Sequence, residues 1–411
     1  MKISLVSRVF VWTGLLLLAG VIACSNDMPI QGFDLSNPGS RGVVDSTAIK
    51  DIDFEVTYSD SFIPTGSLSA SLLLGSLNGI ENRLLLRIDD IPDTVEVKKA
   101  TLILVSNSVV GDQAKTSFQA FVHNVLDEWD EDTVTDANFS YNVDAAAIAA
   151  AEIVSASQVF DENDSLVAES VRFQFDERGV ELVNGWADTI DAVPNFGVLI
   201  DFDNSTFVKN FFNRGNVANH PTLELEVMKS TDLDTLVFPI SADAFLAHQL
   251  AEPVTGPHYV DHLFGYHSIV KFDLSAIPRE STINRALMVL AVDRANTFIT
   301  DTQFSIQVLR LLKPFTEPDS ISLDFSFEAT VGVSPTATTV TFPSDLTQPQ
   351  FRRMVQDWVA GLVENNGIII RSRTPGFSIS RVAFFSTNQS SPDAPRLSID
   401  YSIAPTISNR N

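Results

Sequence analysis

The chain repeats itself, and this duplication restricts its fold more than any other feature. Segment 85–104 matches segment 269–290, and both run from an apolar stretch through Asp and Ile-Pro to an alanine that opens the next apolar run. Segment 118–129 matches segment 304–315 without a gap. A repeat of this length predicts two large tandem units rather than a solenoid of short ones.

Each copy contains short apolar or alternating runs separated by turn residues, which is the pattern of β-strands. We therefore expect an all-β fold of two tandem jelly-roll-type β-sandwich domains, each with one short covering helix. The domains are placed at residues 48–228 and 229–403, followed by a tail at 404–411. Copy one carries extra residues around 142–166, which we interpret as a loop insertion with one short helical turn.

The covering helix is predicted from apolar residues that recur at helical spacing in both copies. In copy two these residues are Phe351, Met354, Val355, Trp358 and Leu362, and in copy one they are Leu182, Val183, Trp186 and Ile190. Because Trp186 and Trp358 lie on the apolar faces, we expect both in the core rather than exposed as sugar-stacking platforms. The remaining candidates for aromatic ligand contacts are tyrosines in loops, namely Tyr58, Tyr141, Tyr259 and Tyr266.

The N-terminus has the pattern of an export signal. Basic residues precede an apolar stretch at 10–23, which is too short to span a ~30 Å hydrocarbon core. The sequence "VIAC" resembles the lipobox of bacterial lipoproteins. We expect 1–23 to be a signal peptide, Cys24 to be acylated and to hold the protein to the bilayer, and 24–47 to be a flexible tether. Ser25 resembles the outer-membrane sorting class, and the alternative is an unmodified Cys24 in an ordinary signal peptide.

The net charge excludes some classes of partner. Asp and Glu number 52 against 27 Lys and Arg, which gives a formal charge of −25. Such a field repels nucleic acid and anionic lipid headgroups. An anionic polysaccharide would need a local basic patch to overcome it.

The stretch "DEWDEDTVT" at 127–135 places five acidic residues around Trp129. Trp129 aligns with Phe315 in copy two, and only Glu131 keeps an acidic partner, Glu317. We therefore expect Trp129 to be buried at the sandwich edge while the acidic side chains face water. The alternative is a calcium loop, because dense carboxylates are the hard ligands that calcium prefers. The calcium candidates are Asp127, Asp130 and Asp132 here and Asp161 and Asp164 in the insertion.

A second polar cluster, "HYVDHLFGYH", contains His258, His262 and His267. On a helix, His258 and His262 would share one face and could bind a transition metal such as zinc. The segment aligns with a strand and turn in copy one that carry no ligands. We therefore favour a polar loop before a strand.

The order of motifs resembles the DNRLRE domain family, exported modules that are classed among carbohydrate-binding modules. It runs from an Asp and Ile-Pro strand through "ATLIL", a W-x-E-x-x-V-T motif and a W…NxG(V/I)xI motif to "FF" and a closing P-x-L, and "ENRLLLRI" echoes the family name. The resemblance implies non-catalytic binding or presentation of a glycan at the cell surface, and Ser25 after Cys24 favours the outer membrane. Alternatives are a structural lipoprotein that binds another envelope protein and a polysaccharide-degrading enzyme, although no catalytic motif is evident. No cofactor is predicted, with a structural calcium ion as the alternative, and the ligand-binding residues are not identifiable.

Overall fold

The computed structural model describes residues 43–59, 65–66, 69, 71–93, 95–111, 116–160, 166–188, 193–229, 232–300, 304–342, 349–373, 378–387 and 395–404. The predicted signal peptide, Cys24, most of the tether and nearly all of the tail lie outside these residues. Asp161, Asp164 and Ile190 also lie outside them.

The described chain is built mainly from β-strands, which confirms the all-β class. The strands up to the repeat boundary are β1 (Val43–Ile49), β2 (Ile52–Ser59), β3 (Ser71–Leu77), β4 (Ile80–Arg87), β5 (Glu96–Gly111), β6 (Ser117–Asn124), β7 (Ala149–Val154), β8 (Gln158–Phe160), β9 (Leu166–Ala168), β10 (Ser170–Gln174), β11 (Val198–Phe202), β12 (Phe207–Phe212) and β13 (Thr222–Lys229). The strands beyond it are β14 (Asp232–Pro239), β15 (Ala242–Gln249), β16 (His258–Asp261), β17 (Tyr266–Phe272), β18 (Thr282–Ala291), β19 (Phe304–Leu311), β20 (Leu323–Val333), β21 (Thr339–Phe342), β22 (Ile368–Ser372), β23 (Arg381–Phe384) and β24 (Arg396–Ile403). Two short α-helices, α1 (Glu177–Ala187) and α2 (Pro349–Val359), and a 3₁₀ helix at Pro318–Ser320 complete the described elements.

The antiparallel sheets enclose two large hydrophobic interiors. One lies among β3 to β15 and contains Leu84, Phe173 and Phe211, all fully buried. The other lies between the sheet β1-β24-β18-β21 and the sheet β2-β17-β22-β19-β20. We call these the first sandwich (β3–β15) and the second sandwich (β16–β24 with β1 and β2). Alternate residues of strands such as β13 and β24 are buried in these interiors, as a half-buried sheet requires.

Strand pairing crosses the predicted domain boundary. The N-terminal strand β1 pairs with the last strand, β24, from Val43–Ile403 to Ile49–Leu397, and β2 pairs with β17. Conversely, β14 and β15 lie beyond residue 228 but pair with β13 and β4 of the first sandwich. The pairing therefore does not follow the bounds 48–228 and 229–403. Residues 43–47, which were predicted as the end of a flexible tether, instead belong to strand β1 of the second sandwich.

The insertion in copy one differs from the predicted loop with a helical turn. Its alanine-rich part forms β7, which pairs with β6 from Ser117–Val154 to Val122–Ala149. Ala149 and Ile153 are buried in the first interior. Lys209 of β12 is fully buried beneath this segment, where its ammonium donates to the Val154 carbonyl and forms an ion pair with Glu169. Packing at the sheet edge overrides the helix propensity of alanine.

The two helices occur in corresponding places, one against each interior. Trp358 of α2 is buried, and Trp186 of α1 is partly buried against the first interior. Helix α2 is shorter than the apolar spacing predicts, since Gly361 adopts a left-handed backbone with φ of 68° just beyond its end. Leu362 consequently leaves the apolar face and is 73% exposed. A left-handed residue after the last turn is a common helix stop.

No helix among the described residues has both the length and the apolar character needed to cross a lipid bilayer.

Candidate functional site

A groove runs along the junction of the two sandwiches. It consists of two adjoining pockets of about 270 and 320 Å³, which share Glu252 and Tyr266. Side chains of the first pocket come from β2, the 135–137 loop, β15 and the start of β17, so both copies contribute. Side chains of the second pocket come from β2, the 252–259 segment and Ser386. We call this feature the junction groove.

A buried aspartate shapes the turn that presents the aromatic side of the groove. Asp261 ends β16, and one of its carboxylate oxygens accepts from the backbone N–H groups of Phe264 at 2.9 Å and Tyr266 at 3.3 Å. Between these two residues Gly265 has a φ of 58°, a conformation that costs a glycine little. The result is a tight turn that places Phe264 and Tyr266 side by side in the groove wall.

Arg381 stabilises this turn through hydrogen bonds to Asp261. Its guanidinium donates two hydrogen bonds to the second Asp261 oxygen, at 2.9 and 3.1 Å, and one to Gln249 Oε1 at 2.6 Å. Because Gln249 belongs to β15, this contact ties the two sandwiches together. Burial raises the pKa of Asp261, and the Arg381 charge opposes that rise.

Four aromatic rings surround the Arg381 guanidinium. Its central carbon lies 4.9 to 5.9 Å from the ring centroids of Tyr259, Phe264, Tyr266 and Phe298. Cation–π contacts of this kind contribute up to about 2 kcal/mol when desolvated. The cage therefore fixes the orientation of the groove's aromatic side chains.

Polar groups line the rest of the first pocket. The Tyr266 hydroxyl donates to Glu252 at 2.8 Å, and burial together with this bond raises its pKa to about 12. Tyr266 thus remains a neutral hydrogen-bonding group at physiological pH. Opposite it, His248 Nδ1 lies 2.8 Å from Asp136 Oδ2, and the Tyr141 hydroxyl also donates to Asp136.

The second pocket ends at a buried Glu55–His258 pair. His258 Nε2 lies 3.0 Å from Glu55, and His258 Nδ1 lies 3.2 Å from the Thr57 hydroxyl. Burial alone would raise the pKa of Glu55, but hydrogen bonds from His258 and Thr387 lower it overall. The pair joins β2 to β16, so a strand from the N-terminus forms part of the groove.

The structure separates the histidines that the sequence grouped as metal ligands. His258 belongs to β16 rather than a helix and pairs with Glu55, while His262 packs edge-on against Phe304 at 4.3 Å. His267 contacts the ring of Tyr58 at 5.4 Å. The helical arrangement that would bring His258 and His262 onto one face is therefore wrong. Within the described ranges, no three His, Cys, Asp or Glu side chains are placed to hold one metal ion.

The acidic loop lies on the outer face of the first sandwich, not at its edge as expected. Trp129 is 6% exposed, which confirms its predicted burial, and its indole N–H donates to the Phe196 carbonyl at 2.7 Å. Phe315 takes the corresponding place outside the second sandwich, where it stacks on Tyr58 at 5.3 Å.

Among the acidic residues of this loop, Asp127 accepts from Asn142, and Asp130 accepts from the Asp132 backbone and the Thr133 hydroxyl. These bonds are typical of an ordinary polar turn. Calcium binding by Asp127, Asp130 and Asp132 stays the alternative to the predicted solvated loop, and these contacts do not require it.

Glu131 differs from its neighbours, and its role was not evident in the sequence. It forms a two-pronged ion pair with Arg214, at 2.7 Å for each bond, beside the buried Asp243. The only signal for it was the acidic residue retained at Glu317.

Sequence reasoning named Tyr266 among the tyrosines for ligand contacts but did not find the junction groove. Its walls come from segments that are far apart in the chain. The "HYVDHLFGYH" cluster was singled out for its histidines, whereas Asp261, Phe264 and Tyr266 in the same stretch build the groove. Tyr259 supports it from a buried position, and Tyr58 lies elsewhere.

A comparison of the sequence with models of protein families finds no match, and no curated protein matches it. The resemblance to the DNRLRE domain family therefore stays a prediction made from the residues.

Proposed function

We propose that this chain is a non-catalytic glycan-binding protein of the cell envelope, held at the outer membrane by acylated Cys24. The observation that carries the proposal is the junction groove, where Phe264 and Tyr266 lie beside hydrogen-bonding side chains. Aromatic ring faces pack against the apolar C–H faces of sugars, while carboxylate, amide and imidazole groups bind hydroxyls. The resemblance to carbohydrate-binding modules points to the same ligand class.

The charges in the groove favour a neutral glycan. Asp136, Glu252 and Glu55 line it, and the buried Arg381 behind its aromatic wall is already paired with Asp261. An anionic sugar would meet uncompensated negative charge there. A hydroxyl-rich neutral chain would instead find acceptors along both pockets.

A glycan array probed with the full chain tests this proposal, followed by calorimetry with the best neutral oligosaccharide. We expect Tyr266→Ala to weaken binding by about tenfold or more, since buried aromatic anchors carry much of a binding energy. Phe325→Ala is the matched control, because Phe325 is an aromatic residue 63% exposed outside the groove. An array without neutral glycan binders, or equal losses for both variants, would refute glycan binding at this groove.

A reducing-sugar assay tests the non-catalytic part of the proposal. We expect no sugar release from glycans that the protein binds. If release occurs and Glu252→Gln abolishes it while the exposed-site control Glu280→Gln does not, the groove is an active site and the chain is an enzyme.

A second candidate function is binding of another envelope protein, and the edge strand β14 favours it. β14 pairs with β13 and ends its sheet, and its outward Leu233 and Val237 are 63% and 57% exposed. Open sheet edges with apolar side chains are templates for strand addition by a partner. Co-purification of an envelope protein that is lost in Leu233→Lys but kept in Tyr266→Ala would support this function over glycan binding.

A further inference from the structure

We propose that the second sandwich carries an anion-binding pocket for the carboxylate or sulfate groups of an acidic glycan. The pocket has a volume of about 700 Å³ and lies where β19, β20 and the start of α2 meet. It is lined by three arginines, Arg310, Arg352 and Arg353. It shares no lining residue with the junction groove, so the proposal does not depend on the function proposed for that groove.

Arg310 is a buried and firmly held part of this pocket. Its side chain is 9% exposed, and its guanidinium carbon lies 4.0 Å from the ring centroid of Phe327. One terminal nitrogen, Nη2, is paired with Asp324. The other, Nη1, is buried without a hydrogen bond and lies 3.6 Å from the nearest Asp357 oxygen. Because Nη1 is itself inaccessible, Arg310 acts on a ligand as a fixed positive charge in the pocket wall rather than through a hydrogen bond from this nitrogen.

Arg352 and Arg353 bring two more cations to the mouth of the pocket. Arg352 donates to the Ile283 carbonyl at 3.2 Å, and the exposed Arg353 lies 5.9 Å from the centroid of Phe327. Neither forms an ion pair with a carboxylate among the described residues. Other cations of this acidic chain do form such pairs, among them Lys99, Arg172, Arg214 and Lys271. Within the described ranges, no carboxylate therefore competes with a ligand for the guanidinium groups of Arg352 and Arg353.

The N-terminal end of α2 adds to the positive potential. Pro349 and Gln350, the first two helical residues, line the pocket, and the first turn contains no acidic residue. A helix N-terminus carries about half a positive charge and attracts anions. Among the described residues, three arginines against Asp324 and Asp357 give this pocket a positive excess on a chain of net charge −25.

The shape of the cationic groups points to the ligand class. Guanidinium groups bind carboxylate and sulfate oxygens through paired hydrogen bonds, which a neutral sugar cannot match. The pocket is wider than a single small anion needs, which favours an anionic group attached to a sugar. It is the local basic patch that an acidic polysaccharide requires on this surface.

Calorimetry with the full chain tests the proposal, using a glucuronic-acid oligosaccharide, inorganic sulfate and a neutral glucose oligosaccharide of the same length as probes. We expect the acidic oligosaccharide to bind, with affinity that falls as salt rises, and Arg353→Ala to weaken it by about tenfold. Because Arg353 is exposed, this variant should keep its fold, which a thermal melt verifies. Arg279→Ala, at another exposed arginine, is the matched control.

Each further outcome decides against the proposal. If sulfate binds as tightly as the acidic oligosaccharide, the pocket takes a free anion and the glycan assignment is wrong. If the neutral oligosaccharide binds equally and Arg353→Ala has no effect, the arginines are not a ligand site. Loss of binding in Tyr266→Ala but not in Arg353→Ala would place the acidic glycan in the junction groove instead.

Discussion

At the scale of single residues, the acidic residues next to Trp129 in sequence suggest an exposed site, whereas the side chain is buried. Five carboxylates surround it in sequence, yet it is buried under the loop against Leu85 and Leu199, with Arg87 5.5 Å from its ring. The alignment with Phe315 revealed the burial because an aromatic anchor persists where surface charges change. The outer-face position was not predictable, since it depends on how the loop folds back over the sheet.

We expect Trp129→Ala to destabilise the protein by about 3–5 kcal/mol, the usual cost of truncating a large buried aromatic side chain. Glu128→Gln, at an exposed position in the same loop, should change the free energy of unfolding by less than about 0.5 kcal/mol. Urea unfolding at pH 7 measures both. Equal effects of the two substitutions would mean that the loop is not anchored by its tryptophan.

Asp243 is a residue whose significance only the structure reveals. It is 1% exposed, and one oxygen accepts from the Arg214 backbone N–H at 2.6 Å while the other has no hydrogen bond. Burial and the nearby Glu131 charge raise its pKa to about 6, against the Arg214 contacts. Because the folded state holds this proton more tightly than the unfolded state, stability falls as pH rises from about 4 to about 6.

Asp243→Asn should therefore stabilise the protein at pH 7 by about 1–3 kcal/mol, at about 1.4 kcal/mol for each pKa unit. The amide oxygen keeps the bond from Arg214, and at pH 4 the gain should disappear because the wild-type carboxyl is then protonated. Urea unfolding at both pH values measures the difference, with Asp232→Asn at an exposed carboxylate as control. A destabilised variant at pH 7 would show that Asp243 is charged and needed there.

At the scale of elements, the pattern of the sequence predicted strands and helices well where side-chain periodicity was strong. Both covering helices occur at the predicted tryptophans, with α1 capped by Asp176, which accepts from the Gly179 N–H at 2.9 Å. The sequence pattern predicted the wrong secondary structure where tertiary packing determines the conformation. The alanine-rich run of β7 has helical propensity, but its position at the edge of β6 and the buried Ile153 make it a strand.

Elements from distant parts of the chain also create both candidate sites, which explains why motif searches miss them. The junction groove requires the N-terminal strand β2, the β15 strand and the turn before β17 to meet. The proposed anion-binding pocket requires Arg310 of β19 and residues of β20 to lie near the first turn of α2. Of the two sites, only the junction groove was marked by a motif in the sequence, the "HYVDHLFGYH" stretch.

At the scale of the whole molecule, the duplication predicted equivalent strands but not their partners. Equivalent strands in the two copies have similar apolar patterns, so sequence alone cannot decide which copy each completes. Only residues 230 and 231 separate β13 from β14, which favours their pairing with each other. Once β14 and β15 have completed the first sandwich, β1 and β2 are left to complete the second.

This arrangement predicts that a cut after residue 228 damages both halves. The fragment 48–228 would lack β14 and β15, and the fragment 229–403 would lack the strands that cover β24 and β17. The duplication alone would favour halves that fold independently, whereas strand pairing across residue 228 makes us expect such folding to fail at this boundary. Fragments that start at β3 and end at β15 should fold better.

The sharper test keeps the full chain and removes only the N-terminal strands. A protease site introduced within residues 60–64 allows the folded protein to be cleaved, so that only noncovalent contacts hold β1 and β2 to the second sandwich. Displacing them with mild denaturant should expose the ladders of β24 and β17 and remove Ile49 from the second interior. Amide hydrogen exchange should then rise by about tenfold or more in β24 and β17 and remain slow in β13 and β4, since local exchange follows local opening.

A matched site within residues 112–115, which connect two strands of the first sandwich, should leave β24 and β17 protected. If release of β1 and β2 instead exposes β13 and β4, the N-terminal strands complete their own copy and the exchange of strands between copies is wrong.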